Sequence, residues 1–64
     1  MYINREFEKR KVRQEYLKNP IRINDGDTML KYKEYIFAIR RKTGLGPMDI
    51  WHYLKEIVSE NETD

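Results

Sequence analysis

The stretch that decides the fold is residues 29–54, MLKYKEYIFAIRRKTGLGPMDIWHYL. It holds the densest apolar run in the chain and the clearest break, Thr43-Gly44-Leu45-Gly46-Pro47. Gly44 suits the left-handed conformation that ends many helices, and Pro47 suits the first position of the helix that follows. The stretch therefore predicts two helices, at about 28–42 and 47–59, joined by a short turn.

The two predicted helices arrange their apolar residues differently. In the helix at 47–59, Ile50, Trp51, Leu54, Ile57 and Val58 share one arc, which is typical of a helix that buries a single face. In the helix at 28–42 the apolar residues lie on several sides, as in a helix at the centre of its fold. We therefore expect the helix at 28–42 to contact both other helices or a second subunit.

Residues 3–18 predict a further helix, because they are strong helix formers without an interrupting Gly or Pro. Asn4 is a candidate N-cap, and Asn19-Pro20 ends the helix because the residue before a proline avoids the helical region. After residue 60 we expect an acidic, frayed C-terminal tail. The predicted fold class is all-α, with residues 1–64 forming a single small three-helix domain.

The connector at 21–27, IRINDGD, leaves two structures open. The simpler one is a loop that ends in a helix N-cap at Asp27 or Thr28. The alternative is a β-hairpin closed by Asp25-Gly26, in which residues 21–23 pair with residues 29–35. A calcium loop is not expected, because the further oxygen ligands and the final Glu of such a loop are missing.

Length and composition exclude several classes of site. Sixty-four residues make one domain at most, and a core of this size supplies only about 3–5 kcal/mol of stability. The chain has no Cys and one His, so we expect no disulfide, no thiolate or His-cluster metal site and no cofactor. Support from self-association, most simply as a homodimer, is therefore expected. The N-terminus has no apolar signal region and no run is long enough to span a membrane, which predicts a cytoplasmic protein.

Charge is segregated along the chain behind a net charge of +2. Twelve of the 13 Lys and Arg residues lie in 1–42, which carries a net charge of +6, whereas 43–64 carries −4. A basic front and an acidic back could orient the chain on a polyanion or on its own copy.

Residues 36–54 resemble the turn and second helix of the prokaryotic helix-turn-helix family. Gly44 matches the turn glycine and Leu45 the buried aliphatic residue after it. Ile39 matches the packing position of the first helix, and Ile50 and Leu54 match the aliphatic residues of the recognition helix. The resemblance covers about a third of the chain and implies a DNA-binding or transcription-regulating module. Because proteins this small are often encoded by phages or mobile elements, such an origin is expected by association.

The first functional hypothesis is binding to double-stranded DNA, through phosphate contacts from basic residues and base contacts from the third helix. The candidate nucleic-acid-binding residues are Arg40, Arg41, Lys42, His52, Lys55, Lys9, Arg10 and Arg13. These residues form one cluster at 40–42 and another at 9–13, and a purely structural role is an open alternative for each cluster. Cations in the last turn of a helix complement its dipole, and those near the N-terminus can form a solvated face balanced by nearby acids.

The second hypothesis is a small helical protein that binds another protein as an inhibitor, adaptor or assembly factor. It would use a surface rich in Tyr and Trp, with Tyr32, Tyr35, Trp51 and Tyr53 as candidate interface residues. Their alternative role is in the core. Asp49 and His52 are three residues apart, but no nucleophile joins them at a definable spacing, so we do not expect an enzyme.

Overall fold

The computed structural model describes residues 5–62. This part of the chain contains three α-helices and one 3₁₀ turn. They are α1 (Arg5–Lys18), the 3₁₀ turn (Met29–Tyr32), α2 (Lys33–Thr43) and α3 (Pro47–Glu62). The predicted all-α three-helix domain is confirmed. Residues 21–23 have no regular structure, so the alternative β-hairpin is not formed. The candidate cap Asn4 lies outside the described residues.

The helix α3 is the centre of the fold. Six of the ten buried apolar side chains belong to it, and it packs against both α1 and α2. The ten are Val12, Tyr16, Ile36, Ile39, Ile50, Trp51, Tyr53, Leu54, Ile57 and Val58. As expected, α2 contacts both other helices. It is less central than its apolar residues suggested. Leu30 in the preceding 3₁₀ turn and Phe37 on α2 itself remain exposed.

The helix α3 continues to Glu62, beyond the predicted end near residue 59. The extra turn has partners on α1, because Glu60 pairs with Lys9 and Arg13. The Asn61 side-chain amide also donates a hydrogen bond of 3.2 Å to the Tyr16 hydroxyl. Part of the tail that was expected to fray is therefore helical. Within residues 5–62, no helix is both long enough and apolar enough to cross a membrane.

The turn between α2 and α3, residues 44–46, has the geometry that its glycine and proline predict. Gly44 is left-handed (φ 79°, ψ 5°), and its N–H donates to the Arg40 carbonyl at 2.7 Å. The Thr43 hydroxyl donates to the Ile39 carbonyl at 2.9 Å and accepts the Leu45 N–H at 3.2 Å. Because α3 then starts at Pro47, the direction of α3 relative to α2 is set within three residues.

Replacing Gly44 tests whether this left-handed residue holds the turn. No atom lies within 4 Å of a Cβ built there, so Gly44→Ala introduces backbone strain without a clash. We expect the free energy of unfolding to fall by about 1–2 kcal/mol, measured by urea denaturation followed by Trp51 fluorescence. Gly44→Asn is the matched control, because Asn tolerates the left-handed region and should cost less. Equal destabilisation by the two variants would contradict the role of φ at this position.

The connector is fixed to the core through Asp27 and Tyr32. One Asp27 oxygen accepts the backbone N–H of Asn24 at 2.8 Å and a hydrogen bond from the Tyr32 hydroxyl. The Tyr32 ring stacks on Trp51 of α3, with 5.8 Å between ring centroids and 26° between planes. Neither Asp27 nor Thr28 caps a helix through its side chain, because Asp27 closes the loop instead. The anchored Tyr32 also marks where the 3₁₀ turn gives way to α2.

This anchoring predicts a dependence of stability on pH. The hydrogen bond from Tyr32, followed by that from Asn24, lowers the pKa of Asp27 below its ordinary value of 3.8. Its contribution to stability is therefore complete above that value and is lost as the pH falls through the lowered pKa. We expect Asp27→Asn to be less stable than wild type at neutral pH, with the difference shrinking on acidification, in urea denaturation at a series of pH values.

Asp25→Asn is the control, because Asp25 is an exposed neighbour in the same loop. Its stability should follow that of the wild type at every pH. A destabilisation by Asp27→Asn that stays constant down to about pH 2 would show that the charge of Asp27 is not what stabilises the connector.

Candidate nucleic-acid interface

The last turn of α2 carries Arg40, Arg41 and Lys42, which we call the basic triplet. All three side chains are exposed, and none forms an ion pair with a residue in 5–62. Successive helical residues are rotated by about 100°, so the triplet spreads around the helix end. The buried Ile36 marks the side of α2 that faces the core. Relative to that side, Arg40 lies on one flank of α2 and Lys42 on the other, and Arg41 points away from the core.

The exposed face of α3 near its start carries mixed charge. Met48, Asp49, His52 and Lys55 are exposed there, and Asp49 lies in the first turn. His52 and Lys55 are three residues apart and so are neighbours on this face. The Lys55 ammonium lies over the Trp51 ring, 5.5 Å from its centroid, a cation–π contact that directs the Lys55 side chain along the helix surface.

Two of the predicted nucleic-acid-binding residues on α1 form ion pairs within the molecule. The Lys9 ammonium lies 3.1 Å from Glu56 and 2.7 Å from Glu60, and Arg13 lies 2.7 Å from Glu60. The hydrogen bond from Lys9 lowers the pKa of the Glu60 carboxyl, and Glu60 in turn raises the pKa of Lys9. Lys9 and Arg13 are therefore held against α3.

Arg10 differs from its neighbours on α1. It is exposed and forms no ion pair with any residue that the structure describes. Helix geometry puts it on the side of α1 that faces away from α3, beside the exposed Phe7. Only Thr43 and the turn at 44–46 separate the basic triplet from the start of α3 along the chain, whereas Arg10 lies on a separate surface of α1.

The pairing of α1 with α3 is a feature that sequence reasoning missed. Lys9 and Arg13 are four residues apart, as are Glu56 and Glu60, so each pair lies along one side of its helix. Arg5 extends the same line and lies 3.7 Å from Glu56. Matching spacings of opposite charge on two helices are a signal in the sequence, but reading it requires knowing that α1 packs on α3.

The aromatic residues proposed as a partner interface occupy different environments. Trp51 and Tyr53 are buried, at 7% and 5% exposed, so a surface of the folded chain does not include them. The Tyr53 hydroxyl donates to Glu8 at 2.8 Å, which links α3 to α1. Tyr32 and Tyr35 are half-buried; the Tyr35 hydroxyl donates to the Asn19 carbonyl at 2.8 Å, and burial raises the pKa of Tyr35 to about 12.

The structure also contains an apolar surface that sequence reasoning did not identify. It lies between the 3₁₀ turn, α2 and the start of α3, and it includes the side chains of Leu30 and Phe37. The signal in the sequence was that these two residues lie on a second side of the helix predicted at 28–42. We call this surface the apolar groove, and its lining residues are Met29, Leu30, Lys33, Ile36, Phe37 and Pro47.

No family model matches this chain, and comparisons with curated proteins and with solved structures find no match. Among residues 5–62 there is no group of three or more His, Asp or Glu side chains that could hold a metal ion.

Exchanging charges across α1 and α3 tests the interhelical ion pairs. Lys9→Glu faces Glu56 and Glu60, and Glu60→Lys faces Lys9 and Arg13, so each single change turns attraction into repulsion. We expect each to lower the thermal midpoint at low salt and less at high salt. Combining the two changes should recover part of this decrease, since one opposite-charge pair is restored.

The control for this exchange is Lys18→Glu, which reverses a charge whose partner, Glu15, lies one turn away on α1 itself. It should change the midpoint less than Lys9→Glu does. If the midpoint of the combined variant fell by the sum of the two single effects, Lys9 and Glu60 would not be energetically coupled.

Proposed function

We propose that this protein is a small, non-enzymatic module that binds double-stranded DNA through the end of α2 and the start of α3. The observation that carries the proposal is the combination of a helix, a three-residue turn, a second helix and, beside that turn, a basic triplet that forms no ion pair within residues 5–62. Helix-turn-helix proteins contact the duplex with this arrangement, with the second helix in the major groove.

The electrostatics of the folded chain favour the region of the turn over the rest of the surface. Glu56 and Glu60 of α3 are balanced by cations of α1, so much of the acidity of the C-terminal half is compensated within the molecule. The basic triplet has no such partner among the described residues, and phosphate groups would supply one. Release of counterions from DNA would then drive binding.

The proposed roles divide between phosphates and bases. Arg40 and Arg41 contact the backbone next to the start of α3, and Lys42 contacts it from the opposite flank of α2. His52 contacts base edges from the exposed face of α3, and its neighbour Lys55 joins it by leaving the Trp51 ring. Asp49 lies in the first turn of the same helix and opposes a close approach to phosphates. Affinity therefore comes mainly from the basic triplet, and any sequence preference comes from α3.

The test is binding to a random-sequence duplex of about 20 base pairs, measured by fluorescence anisotropy over a series of salt concentrations. Each phosphate that the protein neutralises contributes about −0.9 to the slope of log K against log salt concentration. We expect neutralising the triplet, by Arg40→Gln, Arg41→Gln and Lys42→Gln together, to weaken binding at low salt. The slope should become shallower by about 0.9 for each phosphate that is no longer neutralised.

The matched control removes the same number of positive charges from α1, by Arg10→Gln, Lys11→Gln and Lys18→Gln together. These side chains are not part of the proposed interface, so this variant should keep a slope close to that of the wild type. If the two triple variants weakened DNA binding equally, the affinity would depend only on the net charge of the protein and not on the position of the basic triplet. An absence of binding at low salt would overturn the proposal, because non-specific affinity does not depend on the right sequence.

A further inference from the structure

The apolar groove has the composition of a binding surface. The atoms that line it are apolar, and two of its large side chains are exposed, Leu30 at 74% and Phe37 at 37%. Ile36 forms part of the lining while being buried itself, so the groove opens directly onto the core. Exposed apolar side chains that cluster around a groove, unlike single ones, can form a site of interaction.

Phe7 and Leu17, the exposed large apolar residues of α1, do not form a comparable surface. Phe7 is partly covered by the Lys11 ammonium, which lies 4.7 Å from the ring centroid. Leu17 lies on α1, about three helical turns from Phe7. Leu30 and Phe37, in contrast, line one groove together with Met29 and Pro47. The groove is therefore the apolar surface on which a partner could bury several side chains at once.

The charges around the groove identify the kind of partner. Lys33 is one of its lining residues. Arg40 follows Phe37 by three residues and Ile36 by four, so it lies one turn further along the same flank of α2. Neither cation forms an ion pair within residues 5–62. The nearest acid in sequence, Glu34, is rotated by about 100° from Lys33, away from this flank.

A second copy of this chain is a poor occupant for the same electrostatic reason. A two-fold symmetric contact brings the same surface of both copies together. The Lys33 and Arg40 side chains of the two copies would then approach one another. Apolar burial would be opposed by repulsion between like charges.

We propose that the apolar groove binds an amphipathic segment of a partner protein that is apolar on one side and acidic along its flanks. Leu30 and Phe37 contact the apolar side chains of that segment, and Lys33 and Arg40 contact its carboxylates. Apolar anchors separated by three or four residues on a helix suit such a groove. The inference shares Arg40 with the proposed DNA interface, but its apolar contacts through Leu30 and Phe37 lie outside that interface.

The test is a selection from a displayed library of random amphipathic peptides on the wild-type chain, with counter-selection on the variant Leu30→Gln, Phe37→Gln. Selected peptides should carry a net negative charge and apolar residues three or four positions apart. Synthetic copies should bind the wild type at least roughly tenfold more tightly than the double variant. Leu17→Gln, which changes a side chain that is 62% exposed on α1, should bind like the wild type.

Two charge variants test the acidic character of the partner. Lys33→Glu should lower the affinity for the selected peptides by roughly tenfold. Glu34→Lys, a charge reversal one residue away, should not lower that affinity. Phe37 packs beside the core, so its replacement could also affect folding. Circular dichroism of the variants tests whether they fold. The single variant Leu30→Gln changes only a highly exposed side chain and tests binding alone.

Three outcomes would overturn the inference: no peptide surviving counter-selection, selected peptides without net negative charge, or a concentration-dependent dimer that Leu30→Gln abolishes in sedimentation. The last would assign the groove to a second copy. Leu30→Gln and the double variant Leu30→Gln, Phe37→Gln change no charge and should keep wild-type affinity for the random duplex. Failure of this inference in those variants therefore leaves the proposed DNA binding untouched, and the reverse also holds.

Discussion

The burial of one face of α3 is the interaction on which the rest of the structure depends. Ile50 and Leu54 are completely buried, and they meet equally buried side chains from the other two helices, Val12 of α1 and Ile36 of α2. Burying an aliphatic side chain of this size contributes about 1.5–3 kcal/mol. A chain of 64 residues without Cys has few other sources of stability, so helix packing on this face carries most of the fold.

Two groups of charges around that packing matter here, besides local pairs such as Lys18 with Glu15. One group joins α1 to α3, where cations and acids meet in pairs such as Lys9 with Glu60. The other group, which includes the basic triplet, has no partner among the described residues. The segregation of charge along the sequence therefore acts partly within the molecule, and only the remaining cations are available to a ligand. Both proposed interactions use cations of this second group.

Local patterns in the sequence predicted the helices and the turn because their causes are local. The apolar period of α3 indicated its buried face, and Gly44 and Pro47 indicated where one helix ends and the next begins. These features follow from backbone conformation and from helical spacing within a few residues.

Features that depend on packing between helices were not predictable in this way. Lys9 and Glu60 are 51 residues apart, so their pairing follows only once α1 is known to lie on α3. The same holds for the tail residue Asn61, which remains helical because it reaches Tyr16. The apolar groove combines Leu30 with Pro47 across the 3₁₀ turn and the start of α3, a juxtaposition with no local signature.

The central functional claim is that the end of α2 and the start of α3 form one surface for duplex DNA. The most direct measurement is an amide NMR titration of the ¹⁵N-labelled chain with a random duplex at low salt. We expect shifts that are concentrated at Arg40, Arg41, Lys42, Met48 and His52, with smaller changes along α1. Shifts centred on Arg10 and Phe7 of α1, or none at any duplex concentration, would contradict the claim.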